Sequence, residues 1–311
     1  MKIAFVFAGQ GSQYLGMGKE LSITNQTFKS CFDEINQDGD LAKVCFEDEQ
    51  RLNQTKDAQW AIYSISMATV KLLEQEGIKP EGCIGLSLGE YSAYACAGAM
   101  SIKEGVTLTK KRGALMQDTI EGTNSGMAAI LSLDPLLIEE ACREASDLGK
   151  VSVANYNAPD QIVITGEIPA LEKAMDLCSK KGARRAIKLQ VSGAFHSELL
   201  NPAKKDLREA LEKVNWQPCT VPVYSNVSGK VTNSLVDSLV NQLVSPVHFI
   251  EGIENMIDDG FDTFIEIGPK ATCSSFIKKI ASKKGVTVTT CNVEDEKSLA
   301  KTKETLQGGQ A

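Results

Sequence analysis

The sequence predicts an α/β protein, in which a large domain with a parallel sheet carries a smaller inserted domain. Two patterns predict this class. Units of strand, tight turn and helix occur in both the first and the last third of the chain, and a run of elements in the order βαββαβ separates them. That order is typical of the ferredoxin-like unit. We therefore expect a discontinuous large domain of residues 1–123 and 192–311, with a ferredoxin-like small domain at residues 124–191.

The large domain opens with a strand at Ile3–Phe7, a continuous apolar run that indicates burial on both faces of a parallel sheet. From Gln59 onward, apolar residues fall at helical spacing until Gly77 ends the predicted helix. A short strand at residues 82–86 then leads through a tight turn into a helix rich in small residues.

The inserted domain and the last third follow from the same rules of periodicity. Strands are predicted at residues 127–131, 151–155, 161–165 and 185–191, with helices at residues 135–145 and 171–178. After the insert we expect a helix from about residue 198, strands at residues 221–225, 263–267 and 286–290, and a helix before the last of these. The tail at residues 304–311 is expected to fray.

Composition excludes several classes of function. The chain has 311 residues, 42% of them hydrophobic, and a formal charge of −7, which disfavours nucleic acid and anionic membranes as partners. No apolar run reaches the roughly 18 residues of a membrane span, and the first residues do not resemble a signal peptide. The nine cysteines are isolated, so neither a zinc site nor a disulfide framework is indicated. We expect a cytoplasmic monomer.

The first chemical motif surrounds Ser87. The five residues from Gly85 to Gly89 match G-x-S-x-G, in which a serine sits on a sharp turn from strand to helix. The pattern is loose and also arises by chance, but here a predicted strand precedes it and a predicted helix follows. The turn also aims the backbone N–H of Leu88 at the position of a developing oxyanion.

A serine hydroxyl needs a base, and the chain has two histidines, His196 and His248. His196 lies in a glycine-containing loop after the last strand of the insert, from which it can fold back onto Ser87. A lone loop histidine is more often a surface residue without a task, but the presence of Ser87 favours His196 as the base. His248, at the start of a helical segment, is the weaker candidate.

Two further positions have competing interpretations. The loop around Gln10 follows a strand and is rich in glycine, yet Tyr14 stands where a dinucleotide fingerprint requires glycine. A backbone N–H of this loop, directed at Ser87, would complete an oxyanion hole with Leu88. Arg112 follows two lysines on a predicted helix, and from these residues alone a solvated basic face is the simpler interpretation.

Taken in order, these segments resemble the malonyl-CoA:acyl-carrier-protein transacylases and, more broadly, the acyltransferase domains of fatty acid and polyketide synthases. The similarity spans nearly the whole chain. Its blocks are Phe-Ala-Gly-Gln-Gly-Ser-Gln at 7–13, Gly-Leu-Ser-Leu-Gly-Glu-Tyr-Ser-Ala at 85–93, Lys-Arg-Gly at 111–113, Gly-Met-Ala-Ala-Ile at 126–130, Asn-Tyr-Asn at 155–157, Val-Ser-Gly-Ala-Phe-His-Ser at 191–197, Asn-Val at 226–227 and Glu-Ile-Gly-Pro at 266–269.

The resemblance implies an α/β-hydrolase-like large domain beside the ferredoxin-like one. It also implies that Ser87 becomes acylated, that His196 is its base, and that the N–H groups of Gln10 and Leu88 bind the oxyanion. Arg112 is implied to pair with the carboxylate of a malonyl group.

Further roles come from the resemblance alone. It implies that a backbone carbonyl orients His196, and the matching position is His248. Gln59 matches a pocket-lining glutamine, although the block around it departs from the family's Thr-Gln-Pro-Ala. Phe195 matches a residue that crowds an α-methyl group and so favours malonyl over methylmalonyl. Proline and histidine, frequent in the family at Ala8 and Leu86, are absent.

The implied substrates are malonyl-CoA and an acyl carrier protein, without metal or bound cofactor, since CoA and the carrier's phosphopantetheine serve as substrate carriers. Three alternatives stay open: a standalone acyltransferase serving a polyketide synthase, a serine acyl hydrolase, and a catalytically silent carrier-binding subunit. An acidic carrier is expected to dock on basic residues, namely Lys181, Arg184, Arg185 and Lys188.

Overall fold

A five-stranded parallel sheet forms the centre of the larger part of the molecule. The computed structural model describes residues 1–191 and 193–308. With all strands numbered in chain order, this sheet contains β1 Ile3–Phe7, β2 Gly82–Gly85, β7 Val223–Tyr224, β8 Thr263–Ile267 and β9 Thr289–Val293. Their order is β7-β2-β1-β8-β9, and every neighbouring pair is parallel. The predicted first strand is therefore central.

Helices cover both faces of this sheet. Phe5 and Phe7 of β1 belong to one apolar core, and the alternate residues Ala4 and Val6 belong to another, as the two-residue period of a strand requires. The helices around the first core are α1 Lys19–Thr24, α2 Gln26–Ile35, α3 Asp40–Phe46, α4 Glu49–Leu52, α5 Thr55–Gln75, α6 Gly89–Cys96, α7 Ile102–Ile120, α10 Lys204–Leu211, α11 Leu235–Gln242 and α14 Glu296–Gly308. The second core lies under α12 Phe249–Asp258 and α13 Thr272–Lys284.

A separate antiparallel sheet follows the predicted βαββαβ order. Its strands are β3 Ser125–Leu131, β4 Val151–Ala158, β5 Gln161–Glu167 and β6 Arg185–Lys188, in the spatial order β4-β5-β3-β6. Helices α8 Pro135–Ala145 and α9 Ile168–Lys180 pack on it around their own apolar core. The predicted fold class, a parallel α/β layer structure with a ferredoxin-like unit, is confirmed.

The described part of the predicted tail differs from the prediction, and residues 309–311 lie outside the described residues. Residues 304–308, expected to fray, are the last turn of α14, and Leu306 is buried there. Leu299, Thr302 and Leu306 are the buried residues of this helix and recur at helical spacing, so they form a stripe that packs on the sheet next to β9. The stripe begins before residue 304, and the tail considered by itself does not reveal it.

Strand β9 begins three residues later than the start predicted at Val286. Gly285 adopts a left-handed conformation with φ of 75°, and the N–H of Val286 donates to the carbonyl oxygen of Ala281 at 3.0 Å. Val286 is therefore part of the C-terminal cap of α13. The helix predicted from residue 198 also begins differently, as a 3-10 helix at Glu198–Ala203 that contains Pro202 and leads into α10.

Within residues 1–191 and 193–308, no helix is both long enough and apolar enough to cross a membrane.

Candidate active site

Ser87 occupies the tight turn between β2 and α6, and close packing leaves room there only for glycine on either side. A Cβ added to Gly85 would lie 1.9 Å from the carbonyl carbon of Gly89, and one added to Gly89 would lie 2.2 Å from the carbonyl oxygen of Phe7. Ser87 itself has a φ of 54°, a left-handed conformation that is uncommon for a residue with a side chain. The predicted nucleophile is thus held on a strained turn.

Two amide side chains from distant segments hold that turn in place. Asn226, just after β7, accepts a hydrogen bond from the N–H of Ser87 at 2.7 Å and donates one to the carbonyl oxygen of Gly85 at 2.7 Å. Gln242, the last residue of α11, donates from Nε2 to the carbonyl oxygen of Ser87 at 2.8 Å. Because these bonds satisfy the backbone groups around Ser87, they offset the cost of its conformation.

The structure brings His196 to the serine. Ser87 Oγ lies 2.7 Å from His196 Nε2, and Nδ1 of the same ring lies 2.9 Å from the main-chain oxygen of Gln242. A carbonyl oxygen only accepts, so Nδ1 carries the proton and Nε2 is left as an acceptor for the serine hydroxyl. This is the geometry of a general base.

The assignment of the orienting carbonyl to His248 was wrong. Its carbonyl oxygen accepts from the N–H of Gly252 at 3.0 Å in the first turn of α12, and its ring stacks on Tyr156. The carbonyl of Gln242 takes the role instead, because the last carbonyls of a helix have no partner within the helix and remain free to accept from His196.

The imidazole is held neutral by its surroundings. Only 4% of His196 is exposed, and burial, followed by the positive charge of Arg112, lowers its pKa from 6.5 to about 4. The carbonyl groups of Gln242 and Ser245 oppose this shift. At neutral pH the ring is therefore ready to accept a proton.

Arg112, on α7, directs its guanidinium at the same oxygen. Nη2 donates to Ser87 Oγ at 3.1 Å and to Gln242 Oε1 at 2.8 Å, and Nη1 donates to Gln59 Oε1 at 2.8 Å. The side chain is 1% exposed. Among the described residues, the groups that accept hydrogen bonds from it are all uncharged. Burial lowers its pKa. A buried cation with no anionic hydrogen-bond partner among the described residues is a natural site for a carboxylate.

Gln59 lies behind this arginine and not on the cavity wall. It accepts from Arg112, and its Nε2 lies 3.3 Å from Gln10 Oε1, to which it donates. Gln10 Nε2 in turn donates to Thr55 Oγ1 at 3.0 Å. This chain of amides connects the arginine to the loop that follows β1.

The two N–H groups predicted for an oxyanion hole face different surroundings. Gln10 lines the same cavity as Ser87, whereas Leu88 is fully buried at the start of α6. Neither backbone N–H has a hydrogen-bond partner in the part of the chain that the structure describes. Their assignment remains a prediction from the turn geometry.

A cavity of about 810 Å³ connects this cluster to the surface. One wall comes from the segments that follow β1, β2 and β8, and the opposite wall comes from the antiparallel sheet. Residues of the second wall include Met127, Asn155, Val163 and Leu189, and Phe195 lies beside His196. Ser192, which the resemblance placed in the same loop, lies outside the described residues.

The family model for the acyl transferase domain matches residues 4–307 of this chain. The chain belongs to the acyl transferase family. Among relatives of this acyl transferase, the malonyl CoA-acyl carrier protein transacylase of Bacillus subtilis (strain 168) is 42% identical over 286 residues, 90% of each chain. The family predicted from the ordered motifs is confirmed.

Solved structures agree with this assignment. The malonyl CoA-acyl carrier protein transacylase from Clostridium perfringens has a TM-score of 0.95 and 43% identity, over 100% of this acyl transferase and 98% of that chain. A malonyl-transacylase in complex with a type II PKS acyl-carrier protein has a TM-score of 0.92 and 35% identity, over 96% and 98% of the respective chains.

Sequence reasoning named most of the residues that this acyl transferase brings together. Ser87, His196 and Arg112 meet at one oxygen, with Gln10 and Phe195 on the cavity wall, whereas His248 lies elsewhere. Gln242 was missed. Asn226 stood in a motif without a role, and Glu90, which directly follows the serine motif, was likewise given none. A charged residue among the small residues of α6 was the available signal.

Proposed function

We propose that this acyltransferase moves a malonyl group from malonyl-CoA to the phosphopantetheine thiol of an acyl carrier protein, through an ester on Ser87. One observation carries the proposal: Ser87 Oγ lies 2.7 Å from the base His196 and 3.1 Å from the cation Arg112. A nucleophile, its base and a group that binds carboxylates thus converge on one atom. The names of the relatives at 42% and 37% identity support the same substrates.

The reaction has two balanced halves. Ser87 Oγ attacks the thioester carbonyl while His196 Nε2 takes its proton, and the N–H groups of Gln10 and Leu88 stabilise the oxyanion. The carbon–sulfur bond then breaks, and the imidazolium returns its proton to the CoA sulfur. In the second half, the carrier thiol gives its proton to His196 Nε2 and its sulfur attacks the ester carbonyl. The carbon–oxygen bond to Ser87 then breaks, and the imidazolium returns its proton to Ser87 Oγ.

Arg112 selects the acyl group in this proposal. A planar guanidinium binds a carboxylate through two parallel hydrogen bonds, whereas an acetyl group would leave the buried cation without an anionic hydrogen-bond partner. Gln59 acts indirectly, because it accepts a hydrogen bond from the guanidinium of Arg112. Phe195, on the cavity wall beside His196, is proposed to crowd an α-methyl substituent.

The test is to incubate the protein with malonyl-CoA and map the modified peptide by mass spectrometry. We expect a malonyl-sized gain on the peptide that contains Ser87, no gain in Ser87→Ala, and loss of the group when a holo carrier protein is added. Release of free malonate without carrier, at a rate comparable to transfer, would instead identify a hydrolase.

Docking of the carrier is proposed for the edge strand β6. Of the four basic residues expected there, Lys181 is paired with Glu140 and Glu144, and Lys188 with Glu172. Among the described residues, Arg184 and Arg185 have no acidic partner, and Leu189, just beyond β6, lines the cavity. Charge reversal of both arginines should raise the KM for carrier and leave the KM for malonyl-CoA unchanged, with Lys283→Glu as a control. An unchanged KM for carrier would contradict this surface.

The remaining assignments are parts of the same proposal. The chain divides into a catalytic domain of residues 1–123 and 192–311 and an inserted domain of residues 124–191. It acts in the cytoplasm as a monomer, and its reaction requires no metal or cofactor beyond the two pantetheine carriers. Whether the carrier serves fatty acids or polyketides is decided by comparing the two kinds of carrier in the transfer assay.

A further inference from the structure

An unassigned acid lies directly behind the catalytic cluster. Glu90 is the second residue of α6, three positions after Ser87, and it is fully buried. Burying a carboxylate costs several kcal/mol unless hydrogen bonds compensate. No basic side chain forms an ion pair with Glu90 within residues 1–191 and 193–308. Its presence here therefore requires an explanation.

One carboxylate oxygen of Glu90 accepts from the residues that hold the cluster together. Its Oε2 accepts from Gln242 Nε2 at 2.8 Å and from the N–H of Asn226 at 3.1 Å, and its Oε1 accepts from the hydroxyl of Tyr94 at 3.3 Å. All three bonds are ones that the carboxylate oxygens accept, as in the ionised form of Glu90. Burial raises the pKa of Glu90, and the bonds from Gln242 and Asn226 oppose the rise.

Gln242 is the connection between this acid and the reacting groups. The two ends of its amide are alike in shape, so their partners determine which way the amide faces. Arg112 can only donate, and it faces Oε1; an ionised Glu90 can only accept, and it faces Nε2. The same residue accepts from His196 through its main-chain oxygen. The amide therefore lies between a buried cation and a buried anion.

We propose that Glu90 is a positioning residue of the transferase, which fixes the amide of Gln242 and supplies the counter-charge to Arg112 until an acyl carboxylate binds. Asn226 accepts a hydrogen bond from the N–H of Ser87, and its own N–H donates to Oε2 of Glu90. The negative charge of Glu90 also opposes the burial that lowers the pKa of Arg112. This inference rests on the proposed function, because it assigns roles relative to acyl transfer at Ser87.

The proposal predicts that Glu90→Gln lowers kcat without raising the KM for malonyl-CoA. The substitution keeps the shape and removes the charge, so the amide of Gln242 loses its anionic partner. We expect kcat for acylation to fall by about 10- to 100-fold, the usual consequence of small misplacement at a reacting centre. The KM for malonyl-CoA should stay equal or fall, because Arg112 no longer has a competing negative charge nearby. Glu90→Asp, which keeps the charge, should recover part of kcat.

The experiment uses the full chain and rapid-quench acylation by malonyl-CoA, with rates divided by the fraction of chains that can be acylated. A merely structural role would lower that fraction and leave the rate per competent chain unchanged. Tyr94→Phe is the matched control, since it removes the hydroxyl that donates to Glu90 Oε1 and leaves the bonds from Gln242 and Asn226 to Oε2 in place, and its kcat should stay within about twofold.

A double variant tests the route through Gln242. If Glu90 acts through that amide, Glu90→Gln combined with Gln242→Met should lose little more than the worse single variant. A kcat per competent chain within twofold of wild type in Glu90→Gln, or a raised KM with unchanged kcat, would overturn the proposal. If Glu90→Gln does not fold, full activity of Gln242→Met would overturn it instead.

Failure of the proposed function and failure of the role of Glu90 would give different results. Wild-type protein that never becomes acylated on Ser87 would refute the proposed function. Wild-type protein that is acylated normally, beside a Glu90→Gln variant that behaves identically, would refute the role of Glu90 alone.

Discussion

Replacing Arg112 with glutamine should convert a malonyl-selective site into one that scarcely distinguishes malonyl from acetyl. The guanidinium is buried and hydrogen-bonded to uncharged groups, so an acyl carboxylate would be its first anionic contact. Glutamine is uncharged and shorter, and it cannot offer the two parallel donors that a carboxylate binds. Lys111→Gln is the matched control, since it removes the adjacent, exposed cation of the same helix.

The magnitude follows from the bonds that are lost. A hydrogen bond to a charged group contributes about 1.5–3 kcal/mol, and two of them contribute roughly 3–6 kcal/mol. Since 1.4 kcal/mol corresponds to a factor of ten, the ratio of kcat/KM for malonyl-CoA to that for acetyl-CoA should fall by about 10²- to 10⁴-fold. Acylation by acetyl-CoA should change far less.

The assay is single-turnover acylation of Ser87, followed by intact-mass measurement with each thioester in turn. The same variant has a second signature. Because the charge of Arg112 lowers the pKa of His196, its removal should raise that pKa and move the acid limb of the acetyl reaction to higher pH. A selectivity ratio within threefold of wild type would refute the assignment of Arg112 as the carboxylate-binding group.

Three other predictions concern the groups around the serine. His196 must be neutral to accept a proton, and its pKa is about 4. The kcat/KM of the wild type should therefore stay level down to about pH 5 and fall only as pH approaches 4. A midpoint of the kcat/KM profile near pH 6.5 would contradict the buried, neutral ring. The same shift makes the folded state lose stability as pH falls from 6.5 towards 4, by about 3 kcal/mol at most, since the unfolded chain binds that proton first. In urea titrations, the unfolding free energy of His196→Gln should depend less on pH over this range than that of the wild type. Asn226→Ala removes the hydrogen bonds to the N–H of Ser87 and the carbonyl of Gly85. We therefore expect denaturation to show a loss of about 1–3 kcal/mol in unfolding free energy, and rapid quench to show slower acylation. Normal acylation would show that the turn keeps its shape without Asn226.

Local patterns were sufficient for the elements of the fold and for naming Ser87 and His196, which the structure brings together. The apolar run of β1, the glycine-flanked turn at Ser87 and the βαββαβ order each depend on neighbouring residues, and periodicity detects such features. His196 was found because the chain has so few histidines. These predictions needed no knowledge of how distant segments meet.

The supporting residues could not be predicted in this way. Gln242 ends an ordinary amphipathic helix, and its importance comes from contacts with Ser87, Arg112 and His196, which lie 155, 130 and 46 positions away in sequence. The error at His248 has the same origin. Sequence similarity indicated that a carbonyl orients the base, but only the fold shows which end of α11 or α12 approaches the ring.

The division of the cavity between two sheets has a consequence for engineering. The reacting oxygen and its supports are attached to the parallel sheet, whereas Met127, Asn155 and Val163 project from the antiparallel one. Trimming or enlarging those three side chains would reshape the cavity beside Ser87, and none of the hydrogen bonds to Ser87 described above involves them. A library aimed at bulkier acyl groups therefore has a natural target, separate from the machinery of bond making.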